Sequence, residues 1–148
     1  MSRISNQLRH ASLLATAMVV LVSAISSAAP QVSPAARVYR SQYKDLRNKA
    51  TDLLERSRAP RSDKLALQQE NLALVKLVHR LQEEADRDSF DRSKPGQSDK
   101  SLLLVAQACV ALDFMLTSIR NFNDSGDLAF VQLARQAGPL MDATEQYF

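Results

Sequence analysis

The sequence predicts an all-α protein, an antiparallel up-down four-helix bundle that follows a cleaved N-terminal signal segment. Two observations lead there. Of 148 residues only 3 are Gly and 5 are Pro, and Trp is absent. Leu, Ala, Gln, Arg and Lys, all favourable in helices, dominate the chain. Beyond the first segment, apolar residues recur at alternating steps of three and four, the period of a helix that buries one face.

The first segment has a different pattern. Met1 to His10 carries Arg3 and Arg9 and no acid, and Ala11 to Ile25 is an apolar run, ASLLATAMVVLVSAI. The small residues Ser26, Ser27, Ala28 and Ala29 follow, then Pro30. This is the order of a basic region, an apolar region and a cleavage site in a secretory signal. Cleavage is expected after Ala28, with Ser26 and Ala28 as the small residues read by the peptidase. The chain then divides into a signal peptide (1–28), a linker (29–36) and a bundle domain (37–148). Export to the periplasm or the exterior is the expected destination. The alternative is tethering by an uncleaved signal-anchor, against which the apolar run is short: a span needs about 20 apolar residues. No Cys follows the apolar run to take a lipid.

Each mature helix has a start, a face and a stop. The first is expected from about Pro34 to Ser57, with Ser33 as cap and Pro34 at the first helical position. Tyr39, Tyr43, Leu46, Ala50, Leu53 and Ser57 share one face. Asp45–Lys49 and Asp52–Arg56 are four-apart pairs in the favourable order. Ala59-Pro60 ends the helix. Ser62 or Asp63 caps the second, which runs to about Asp86 with Leu67, Leu74, Val78, Leu81 and Ala85 inward. Leu65, Leu72, Val75 and Leu77 are expected to widen that stripe. Arg87 to Asp99 reads as the longest loop, with Phe90 pinning it to the bundle.

Ser98 or Asp99 caps the third helix, expected to end near Phe122. It is the most apolar, with Val105, Ala108, Cys109, Leu112, Met115, Leu116 and Ile119 inward. Asn123-Asp124-Ser125-Gly126 is a turn. Asp127 opens the fourth, with Phe130, Leu133, Ala134, Ala137, Met141, Thr144 and Phe148 on its inner side. Pro139 removes a backbone donor, so a kink or break is expected at Gly138-Pro139.

The charge pattern narrows the function classes. The whole-chain pI is 9.2, but residues 29–148 hold 17 basic and 16 acidic side chains, a net of +1. That balance gives no reason to expect nucleic-acid binding, and membrane contact is expected only through the signal segment. Within the mature chain the charge is uneven. Residues 29–61 carry 8 basic and 3 acidic side chains, and residues 101–148 carry 2 and 5. Arg37, Arg40, Lys44 and Arg47 line one side of the first helix. They read either as a solvated face beside an acidic neighbour helix or as a face for an anionic partner.

Residues with chemical potential are few. His79 is the one histidine of the mature chain and stands four residues before Glu83. That spacing allows a shared metal or a plain His–Glu contact. Asp113 shares a stripe with Thr117 and Arg120 and is expected to face water or Arg120. No metal set is expected, because a second histidine and a cysteine pair are both lacking. Gly96, Gly126 and Gly138 are too far apart for a phosphate loop. No catalytic residues are assigned, and the lone Cys109 reads as a buried small hydrophobe or, in an exported protein, as a partner in a disulfide between chains. Leu103, Val110 and Phe114, spaced seven and four apart, align on the otherwise polar side of the third helix. They read as a partner or dimer patch, or as the far side of a central helix.

The last third, LTSIRNFNDSGDLAFVQLARQAGPLMDATEQYF, resembles the cytochrome b562 family. It shares a helix, a short Asn/Gly turn and a final helix with an aromatic-rich end. The resemblance implies a four-helix bundle. Members of that family hold haem between a Met of the first helix and a His near the end of the last. Here the first helix has no Met and the tail Ala143 to Phe148 has no His. Haem is therefore not implied, no cofactor is assigned, and Met115 and Met141 read as core. The expected function is that of an exported, non-enzymatic bundle acting through protein contacts, with an unknown protein or a second copy as partner. The alternatives are a haem- or metal-binding bundle built on His79 and an enzyme of unknown reaction.

Overall fold

The computed structural model describes residues 34–90 and 99–147. Residues 1–28, read above as a signal peptide, most of the expected linker with Ser33, the centre of the long loop and Phe148 lie outside the described residues. Four helices account for nearly all of the rest: α1 (Pro34–Ser57), α2 (Lys64–Ser89), α3 (Lys100–Ser125) and α4 (Leu128–Glu145). They pack against one another as an all-α four-helix bundle.

Short polar side chains set the helix starts. The carboxylate of Asp63 accepts the Ala66 N–H at 3.1 Å, Asp99 accepts those of Ser101 (2.9 Å) and Leu102, and Asp127 accepts that of Ala129 at 2.9 Å. Each satisfies a donor that the first turn leaves open. At the end of α3, Gly126 adopts φ 73°, and its N–H bonds the Phe122 carbonyl at 2.7 Å. Such left-handed caps suit glycine because a side chain there is strained. Asp99→Ala is expected to cost about 1 kcal/mol of stability, read as a shift of the denaturation midpoint with unchanged slope.

Helix α3 is the hub. It packs against α1, α2 and α4, whereas α1 packs chiefly on α2 and α3. Val105, Ala108, Cys109, Leu112, Met115, Leu116 and Ile119 are all buried, as their spacing predicts. Leu102, Leu104, Ala106 and Ala111 are buried as well, which a helix with neighbours on three sides requires. By length and composition α3 could also cross a membrane, but two thirds of its apolar stretch is buried inside the bundle. The same apolarity serves as core here.

Three expectations are corrected. Leu65, Leu72 and Leu77 do not widen the buried stripe of α2: they are exposed, and Val75 is half-buried. The reason is the contact between α1 and α3. Helix α2 lies against that pair, and a narrow seam of Leu67, Asn71, Leu74, Val78, Leu81 and Ala85 suffices. Phe90 does not pin the loop, its side chain being 61% exposed. The backbone closes it instead, with the Asp99 N–H donating to the carbonyl of buried Ser89 at 2.7 Å. Finally, the break expected as one alternative at Gly138-Pro139 does not occur, since α4 runs as one helix through Pro139. Gly138 has no Cβ to meet the proline ring, and both Arg135 and Pro139 are exposed, so the freed carbonyl faces water.

Candidate functional site

An open groove of about 400 Å³ runs between α2 and α3. Its α2 wall is polar and acidic: His79, Gln82, Glu83 and Asp86, at the three- and four-residue steps that keep side chains on one side of a helix. Its α3 wall is mostly aliphatic: Leu103, Ala106 and Val110, with Gln107 between them. The sequence places the first set on the hydrated flank of α2 because the buried stripe is so narrow. The second set is left over once α3 has filled its three contacts.

At one end of the groove His79 Nε2 lies 3.0 Å from Asp113 Oδ1. This corrects both local pairings read from the sequence. His79 meets the carboxylate of the neighbouring helix rather than Glu83, and Asp113 meets His79 rather than Arg120. Spacing along one helix identifies only partners on that helix. A histidine held by a carboxylate is the orienting half of an acid–base relay. The residues lining the groove, however, include no Ser, Thr, Cys, Lys or Tyr that it could activate. Among the described residues no three His, Cys, Asp or Glu side chains converge as a metal-binding group would. Met115 and Met141 are both in the core cluster, whereas His79 is exposed.

The apolar stripe of α3 divides along its length. Val110 is at the surface, 36% exposed, and Leu103 is half-buried in the groove wall. Phe114 is half-buried and packs against the core. Of the three, Val110 is the one best placed to meet another molecule.

The basic side of α1 is partly committed to α4. Arg47 reaches Asp142 at 2.5 Å and also bonds Glu145. Burial works against the Arg47 charge, but the bonds to the two carboxylates outweigh it and raise its pKa. Farther along, Arg135 of α4 lies 3.9 Å from Glu55 of α1. Arg37 and Lys44 point outward and Arg40 is half-buried. The four cations thus split into a seam residue, Arg47, and an outer group. Asp45–Lys49 and Asp52–Arg56 form the expected four-apart pairs, each at 2.7 Å. Arg47→Met is expected to destabilise the fold by about 1–2 kcal/mol, because it leaves Glu145 partly buried without its cation. Chemical denaturation at low and high salt checks this, and the deficit should shrink as salt screens the remaining charges.

One buried polar group was not foreseen. Asn71 is fully buried in the α2 seam, and its Nδ2 donates to the Leu116 carbonyl at 2.9 Å. Its position in the 67–71–74–78 series is the signal that could have found it, since that step pattern requires an inward residue there. Comparison with protein-family models, with curated proteins and with solved structures found no match.

Proposed function

We propose that the chain is an exported, non-enzymatic helical bundle that acts through protein contacts, made chiefly at the α2/α3 face. The observation that carries this reading is the groove itself. An aliphatic wall with exposed Val110 faces the carboxylates of Glu83 and Asp86, and such a mixed surface suits a protein partner that brings apolar and cationic side chains. The outer cations of α1, Arg37 and Lys44, offer a second, anion-seeking face. Export rests on the basic, apolar and small-residue order of residues 1–28.

The up-down antiparallel arrangement belongs to the same proposal. It is supported by pairs that descend α3 as they ascend α2: Gln68 with Asp124, Asn71 with Leu116, His79 with Asp113, and Ser89 with Asp99. The cytochrome b562-like layout of the last third fits that arrangement and carries no cofactor assignment with it.

Val110→Asp tests the contact surface, because the side chain is already at the surface and a carboxylate there leaves the core intact. The expected result is loss of association, by co-purification or cross-linking, with an unchanged circular dichroism spectrum. Full association by the variant would overturn the assignment of this face.

A further inference from the structure

The α2/α3 face is self-complementary. Leu72, Lys76, His79 and Glu83 follow one another at steps of four, three and four, so they form one stripe along α2. All four are exposed. Leu72 is 49% exposed and lies outside the groove of its own chain. Neither Lys76 nor Glu83 makes an ion pair or hydrogen bond with another described side chain. A lysine and a glutamate seven residues apart on one stripe are equivalent under reversal of the helix. When two such helices meet antiparallel about a twofold axis beside His79 and Arg80, Lys76 of each copy lies opposite Glu83 of the other. Leu72 of each copy then comes level with the end of the other's groove where Asp86 and Leu103 stand.

We propose that this face binds a second copy of the chain as an isologous dimer. Leu72 of each copy enters the α2/α3 groove of the other, against Leu103 and Ala106, and two Lys76–Glu83 pairs set the register. The apolar contact supplies the affinity. The exposed ion pairs contribute little of it but penalise any register that opposes like charges. A twofold contact closes on itself and leaves no open face for further growth. The inference rests on reading the α2/α3 face as a contact surface and goes beyond it by naming the occupant.

Sedimentation velocity of the purified protein from about 1 to about 100 µM is the test, with Lys76→Glu, Glu83→Lys and the double reversal as variants. The wild type is expected to show a concentration-dependent dimer. Each single reversal should weaken it by about tenfold or more, since both pairs become like-charged. The double reversal should restore it to within about threefold of wild type. Both positions are exposed, and circular dichroism verifies the fold of each variant. A wild type that stays monomeric overturns the dimer, as does a dimer indifferent to the single reversals or one that the double reversal fails to restore. If a monomeric wild type still loses a different partner on Val110→Asp, the dimer falls and the contact surface stands.

Discussion

Between pH 9 and pH 11 the protein is expected to lose about 4 kcal/mol of stability, owing to two buried groups that cannot ionise in the fold. Burial pushes the Cys109 thiol from 9.0 up to about 12. Burial, followed by the nearby Glu145 carboxylate, pushes the Tyr43 phenol far above its ordinary 10.0. Both native pKa values are raised, so the stability they confer is fully present below the unfolded values. It starts to be lost at about pH 9 for Cys109 and about pH 10 for Tyr43, where the unfolded chain releases protons that the native state retains. Each group then contributes a slope of about 1.4 kcal/mol per pH unit. By pH 11 that amounts to about 3 kcal/mol for the thiol and about 1 kcal/mol for the phenol. Urea denaturation at stepped pH reads the effect. Cys109→Ala should flatten the limb that begins near pH 9, and Tyr43→Phe the one that begins near pH 10. An unchanged slope in Cys109→Ala would mean that the thiol is open to solvent. In that case thiol reagents would also modify the native protein, instead of waiting for it to unfold.

Leu112→Ala is expected to cost about 3 kcal/mol and Leu77→Ala less than about 0.5. Leu112 is fully buried on the central helix, where neighbouring helices cannot collapse into the space it leaves, while Leu77 is 47% exposed. The contrast, read from paired denaturation curves, tests the placement of α3 as the hub. Similar losses for the two variants would mean that α2 is packed on both flanks, as a wide apolar stripe would require.

That contrast also marks where sequence reasoning reached its limit. The local chemistry was legible: Asp63, Asp99 and Asp127 as caps, and the inward series of α1 and α3, although α3 continues through Ser125, three residues past the end near Phe122 that the sequence predicts. All of these depend on residues within a turn or two of one another. What was not legible depends on how the helices are arranged. The approach of α1 to α3 is what strips Leu65, Leu72 and Leu77 of their cover, and nothing in α2 itself encodes it. The same holds for the candidate site. The sequence points to His79 and Asp113 separately, yet their pairing crosses from α2 to α3 and is 34 residues apart in sequence. Taken alone, α1 groups Arg47 with Arg37, Arg40 and Lys44, because they share a side of the helix. Its commitment to Asp142 and Glu145 shows only when α4 is in place. The groove combines all of these effects, since one wall is the flank that α2 left hydrated and the other is the aliphatic remainder of α3.

Site-specific photocross-linking in cells tests the central claim most directly. A photoreactive residue replaces Val110 in the groove wall or, as a control, exposed Gln132 on α4. The account predicts a discrete protein adduct from position 110 and none from position 132. Adducts from both positions alike, or from neither, would contradict the assignment of the α2/α3 face as the surface through which this protein works.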